Sequence, residues 1–150
     1  MTDSQFVNPN NTQARDDNSY KEVIEKIQKD KVCPFCPENL SSYHKNPILK
    51  ENTHWLVTKN MYPYKGAAHH FLLLHKIHIT KPKEMTQEDR LDFFEIVEWT
   101  IEEFKIPGGT FFMRFGDTHY TGASVAHLHA QLVSSNPDKE NYEPILTRIG

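Results

Sequence analysis

No run of about eighteen apolar residues occurs in this chain, so the sequence offers no helix able to cross a bilayer. Its opening stretch, "MTDSQFVNPNNTQARDDNSY", lacks the basic and apolar regions of a signal peptide, and a cytoplasmic protein is expected. Basic excess is missing too. With 17 Lys and Arg against 20 Asp and Glu, the formal charge is −3, which argues against a surface built to neutralise a nucleic-acid backbone. A nucleotide-sized anion fits this balance, because binding one takes a few placed donors rather than a charged face. Cysteine is scarce: the only two lie three apart in "KVCPFCPENL". In a reducing compartment that spacing suggests metal or redox chemistry before a structural disulfide. No internal repeat is visible, and 150 residues with 37% hydrophobic content suit one soluble domain with a core of its own.

Residues 1–18 are rich in Asn, Asp, Gln and Pro and are expected to be a mobile tail, leaving a single domain over 19–150. "SYKEVIEKIQKDK" carries Val23, Ile24 and Ile27 at helical spacing, with Ser19 as the cap, and predicts a short N-terminal helix. "THWLVTKN" and "HHFLLLHKIHI" read as neighbouring strands across the loop "MYPYKGAA". "MTQEDRLDFFEIVEWTIEEFK" predicts one long helix, with a capping box at Thr86 and Asp89 and a core face of Phe93, Phe94, Val97, Ile101 and Phe104. The Pro-Gly-Gly at 107–109 should end it. "TFFMRF" and "VAHLHAQLV" follow as strands around the loop "GDTHYTGAS". Strands on both sides of one long helix, joined mostly by short loops, predict an α+β fold with an antiparallel sheet.

The most informative stretch is "ASVAHLHAQLV". Along an extended chain His127, His129 and Gln131 point to one side, and Leu128, Ala130 and Leu132 to the other. A single strand histidine is commonly just a hydrogen-bonded structural residue. Two at alternate positions, followed by Gln and preceded by the turn "TGAS", point instead to a site, because imidazole is suited to nucleophilic attack and proton movement near neutral pH. "CPFC" by itself is compatible with a redox dithiol, half a zinc site or two buried small residues.

"GASVAHLHAQ" resembles the Gly-x-Ser-x-x-His-x-His signature of the histidine triad superfamily, and "HHFLLLHKIHI" is similar to that family's earlier apolar run leading into Lys-x-His. The resemblance spans roughly residues 33 to 133 and implies that His129 is a nucleophile taking a nucleoside monophosphate from a phosphate ester, anhydride or phosphoramidate. It also implies roles for Ser124 and the Gly122 turn as phosphate donors, for Asn60 near a ribose, and for His70 beside the active site. Zinc-bearing members and the galactose-1-phosphate uridylyltransferase branch, which also includes diadenosine tetraphosphate phosphorylases, imply structural zinc on Cys33, Cys36, His78 and His127. The family often has Pro where His75 stands and an Asn within "MRFGDT", which makes Arg114 a candidate for phosphate contact or a salt bridge. His69, His75 and His119 are expected at the surface.

Gln131 bears on the chemistry, since a carboxamide donates a hydrogen bond but exchanges no proton near neutral pH. Within the resemblance this marks a nucleotidyltransferase or phosphorylase. A hydrolase is the alternative within enzymes, and a non-catalytic nucleotide-binding domain the alternative outside them. Single-domain members generally pair, so a homodimer is expected.

Overall fold

The computed structural model describes residues 6–12 and 18–150. Helix α1 (Ser19–Asp30) leads to α2 (Pro37–Tyr43), then strands β1 (Ile48–Glu51), β2 (Trp55–Lys59) and β3 (Ala67–His75). The long helix α3 (Gln87–Glu103), strand β4 (Thr110–Arg114), a single turn α4 (Thr118–Thr121) and strand β5 (His129–Ser135) complete the order. The five strands form one antiparallel sheet in the order β1-β2-β3-β5-β4. No described helix is long and apolar enough to cross a membrane.

Both faces of the sheet are covered. On one side Trp55, Val57, Phe71, Leu73, Leu128 and Ala130 pack against Phe93, Ile96 and Val97 of α3. Full burial of each large apolar side chain contributes roughly 1.5–3 kcal/mol. On the other side Leu56, Leu72 and Leu74 meet Leu40 of α2, and α1 lies nearby. This double burial explains why β3 reads as an unbroken apolar run rather than an alternating one.

Helix α3 starts as its sequence requires: the Thr86 hydroxyl accepts from the Asp89 amide at 3.1 Å, and the Asp89 carboxylate accepts from the Thr86 amide at 2.7 Å. Its buried face differs from the predicted one. Phe93, Ile96, Val97 and Thr100 face the sheet, whereas Phe94 is 53% exposed and Ile101 is also exposed. The spacing i, i+3, i+4, i+7 keeps one stripe, and Phe94 lies one residue, about 100°, off it. The helix also ends earlier than expected. Lys105 adopts the left-handed conformation, and the amides of Lys105 and Ile106 donate to the carbonyls of Glu102 and Ile101, so Phe104 is the cap rather than a helical residue.

At the N-terminus, residues 1–5 and 13–17 of the expected mobile tail lie outside the described residues. Within 6–12 the chain is packed: Val7 is buried, the Asn8 amide donates to Ser124, and the Ala126 amide donates to Phe6. The Asn11 amide group donates to the carbonyls of Thr118 and Ala123 at 2.7 and 2.6 Å. One apolar anchor and several backbone hydrogen bonds offset the ordering entropy that composition alone suggested would win. Ser19 is the first helical residue rather than the cap; Asn18 holds the cap position and makes no side-chain capping bond.

Candidate active site and metal centre

The register of β5 builds the site. Leu74 of β3 and Arg114 of β4 lie opposite His129, and Leu72 and Phe112 lie opposite Gln131. The predicted alternation holds, with Leu128, Ala130 and Leu132 in the α3 core and His127, His129 and Gln131 on the other face. Regular strand pairing begins only at His129, so His127 is presented from the segment just before it.

His129 is 6% exposed. Its Nδ1–H donates to the His127 carbonyl at 2.6 Å, which leaves Nε2 with the lone pair. Burial pushes the imidazole pKa down to about 4; the bond to the His127 carbonyl opposes this, and the Arg114 charge adds to it. The ring is therefore neutral near pH 7, the state a nucleophile needs. Phe35 packs edge-on against it, with centroids 5.1 Å apart.

Gln131 is oriented by a chain of hydrogen bonds. The Tyr64 amide donates to His70 Nδ1 at 3.0 Å, so the ring proton sits on Nε2 and is donated to Gln131 Oε1. The Gln131 amide nitrogen is left as a donor. Asn60 closes the turn beside this pair: its carboxamide oxygen accepts from the Tyr62 amide at 2.7 Å, and its backbone amide donates to the His70 carbonyl at 2.9 Å.

One cleft of about 880 Å³, counted to its open mouth, is lined by Asn60, Arg114, Gly122, Ser124, His129 and Gln131 together. His70 stands behind Gln131. Gly122 has φ +70, the left-handed conformation that turns the chain out of α4 toward Ser124. Other residues of the cleft were not found by sequence reasoning. The Tyr20 hydroxyl hydrogen-bonds the Ser124 hydroxyl. Tyr20 shares the i, i+3, i+4, i+7 stripe with Val23, Ile24 and Ile27, so its direction was readable, but its destination was not. Phe35, Tyr62 and Arg148 also line the cleft, from segments with no periodic signal.

Cys33, Cys36, His78 and His127 come together, with one ligand atom from each lying within 4.8 Å of the others. Pro37 opens α2 immediately after Cys36, and the Asn39 amide group donates to the Cys33 carbonyl at 3.0 Å, which shapes the Cys-x-x-Cys turn. His127 Nδ1 lies 3.3 Å from Cys33 Sγ, 3.7 Å from Cys36 Sγ and 3.2 Å from His78 Nδ1; Cys36 Sγ lies 3.5 Å from His78 Nδ1. A tetrahedral zinc with ordinary bond lengths has edges of about 3.3 Å between nitrogens and about 3.5 Å between nitrogen and sulfur. The donor set therefore fits a tetrahedral dication. Burial pushes the Cys36 thiol up to about 12 and the His127 imidazole down to about 3, so without a cation these donors are held neutral.

His75 departs from expectation. It is buried at 2% exposure, edge-on to Trp55 at 5.1 Å and 3.4 Å from the Asp89 carboxylate. It ends a strand buried on both faces, which sequence position alone did not reveal. His69 is half-buried beside Phe71, and His119 is exposed.

No family model and no curated protein sequence matches the chain, but solved structures do. A histidine triad nucleotide-binding protein from Candida albicans is 16% identical with TM-score 0.54, over 73% of this chain and 82% of that one. A HIT family hydrolase from Clostridium thermocellum is 20% identical with TM-score 0.51, over 68% and 90%. A zinc-bound histidine triad family protein from Mycobacterium smegmatis is 16% identical with TM-score 0.50, over 67% and 73%. The chain thus has the α+β fold of the histidine triad proteins, with His129 and Gln131 of β5 lining its cleft.

Proposed function

We propose that this protein is a nucleotidyltransferase of phosphorylase type, acting on a nucleotide phosphoanhydride through a covalent nucleotidyl-His129 intermediate. The observation that carries the reading is a neutral, buried His129 with its Nδ1 proton fixed on a carbonyl, standing beside a carboxamide in a cleft that Ser124 and Arg114 also line. His129 Nε2 attacks the α-phosphorus as the bond to the leaving phosphate breaks, and an acceptor oxygen later displaces the imidazole. Ser124, the Gly122 turn and the Gln131 amide donate to the phosphate oxygens, Asn60 contacts the ribose, and His70 holds Gln131. Incubation with a panel of nucleotides, read by intact mass, tests this: a nucleotidyl adduct is expected on the wild-type protein and none on His129→Ala.

Hydrolysis of the same intermediate is the second reading, favoured by the hydrolase name of the Clostridium thermocellum structure. A binding-only protein would form no adduct.

Zinc on Cys33, Cys36, His78 and His127 belongs to the same proposal. It would be structural, since four protein ligands leave no position for water, and would tie the Cys-x-x-Cys turn to the strand carrying His129. A homodimer is proposed as well. Among the described residues the outer strand β4 pairs only with β5, and Phe111 on it packs edge-on against exposed Phe94 of α3, with exposed Leu91 one turn back along the helix, an apolar surface suited to a second copy. A nucleotide substrate, a cytoplasmic setting and a single domain complete the reading.

A further inference from the structure

Among the described residues, the only charged side chains lining the cleft are Arg114 and Arg148, and no Asp or Glu reaches it. Neither arginine takes part in an ion pair among those residues. Arg114 is directly opposite His129 in the β4–β5 pairing, and its guanidinium lies 4.8 Å from the centroid of Phe112, which stands opposite Gln131. Its Nη2 donates to the Arg148 carbonyl, while its Nε is buried and has no acceptor among the described residues. Arg148 folds its own Nε onto the Gly150 carbonyl at 2.9 Å.

Nε–H and Nη2–H share one edge of a guanidinium, the edge that grips two oxygens of a carboxylate or phosphate at once. On Arg114 that edge holds one neutral carbonyl and one orphan. Leaving a buried donor unpaired is costly, and a tetrahedral oxyanion would satisfy both positions.

We propose that Arg114, assisted by Arg148, binds the incoming acceptor as a tetrahedral oxyanion, inorganic phosphate, beside His129. This rests on the phosphorylase mechanism proposed above and assigns the residues that hold its acceptor. A phosphate oxygen forms a bond to the α-phosphorus while the phosphorus–Nε2 bond breaks, and that electron pair returns to the imidazole. The product is a nucleoside diphosphate, and the acceptor keeps its proton.

The test titrates inorganic phosphate into metal-loaded wild-type protein, Arg114→Gln, Arg114→Lys and Arg148→Gln, followed by phosphorus NMR. A parallel assay measures the ratio of nucleoside diphosphate to monophosphate at fixed phosphate. Saturable binding is expected for wild type and should weaken at least about tenfold in Arg114→Gln, as loss of charge-assisted hydrogen bonds implies. Arg114→Lys, which keeps the charge but not the fork, and Arg148→Gln should weaken it less. The diphosphate share should fall in the same order. Equal phosphate binding by wild type and Arg114→Gln, or none by either, overturns the proposal whether or not a nucleotidyl adduct is seen. So does an Arg114→Gln protein whose KM for nucleotide rises while its product ratio stays unchanged, which would assign the fork to the substrate's own phosphate chain. Absence of an adduct in wild type, with phosphate binding intact and Arg114-dependent, would count against the covalent mechanism alone.

Discussion

His127 Nε2–H donates to the backbone carbonyl of His75 at 2.7 Å, which fixes Nδ1 as the nitrogen turned toward Cys33, Cys36 and His78. A metal-ligating histidine commonly has its second nitrogen held in this way, and the bond sets both tautomer and ring orientation. The partner carbonyl is itself well anchored, since the His75 amide donates to Leu128 and the His75 side chain lies against Trp55 and Asp89.

Elemental analysis of protein purified without chelator should find about one zinc per chain. Cys33→Ser should lose most of it and melt several degrees lower, because the buried turn between α1 and α2 loses its anchor. An unchanged melting temperature with and without chelator would remove the metal from the account.

His129→Ala should lose turnover by orders of magnitude while its circular dichroism and metal content stay at wild-type values. The side chain packs edge-on with Phe35 and lies outside the α3 core, so its removal leaves the main cluster untouched. Near wild-type turnover would mean that another residue attacks.

Gln131→His should shift products from nucleoside diphosphate toward monophosphate across a phosphate titration. An imidazole there can exchange a proton with water, which the amide held by His70 cannot do. Monophosphate alone from the wild-type protein, at every phosphate concentration, would favour the hydrolase.

Thr86→Ala should destabilise the fold by about 1 kcal/mol through loss of the cap on α3, lowering the melting temperature by roughly 2–4 °C. Chemical denaturation measures it directly. No change would show that the Asp89 carboxylate alone satisfies this end of the helix.

Phe111→Glu should convert a dimer into a monomer in sedimentation, since a charge on the exposed face shared with Phe94 opposes pairing of two copies. A wild-type protein that sediments as a monomer would sink the dimer itself.

Local pattern determined much of this molecule. Alternation fixed which side of the chain carries His127, His129 and Gln131, capping chemistry fixed the start of α3, and the apolar run of residues 71–74 announced a strand. These signals are short-range, because they depend on backbone period and on hydrogen bonds within a few residues. Tertiary structure decided the rest. Whether Cys33 and Cys36 meet His78 and His127, which lie 42 to 94 positions away, depends on how α2 closes over the sheet. That Val7 is buried, that Tyr20 reaches Ser124, and that Arg114 stands opposite His129 all follow from register and packing between distant segments. The burial of His75 follows from neighbours on both faces of a sheet. A sequence records the side chains that such contacts require, but the free energy of each contact exists only once the chain has brought both partners out of water together.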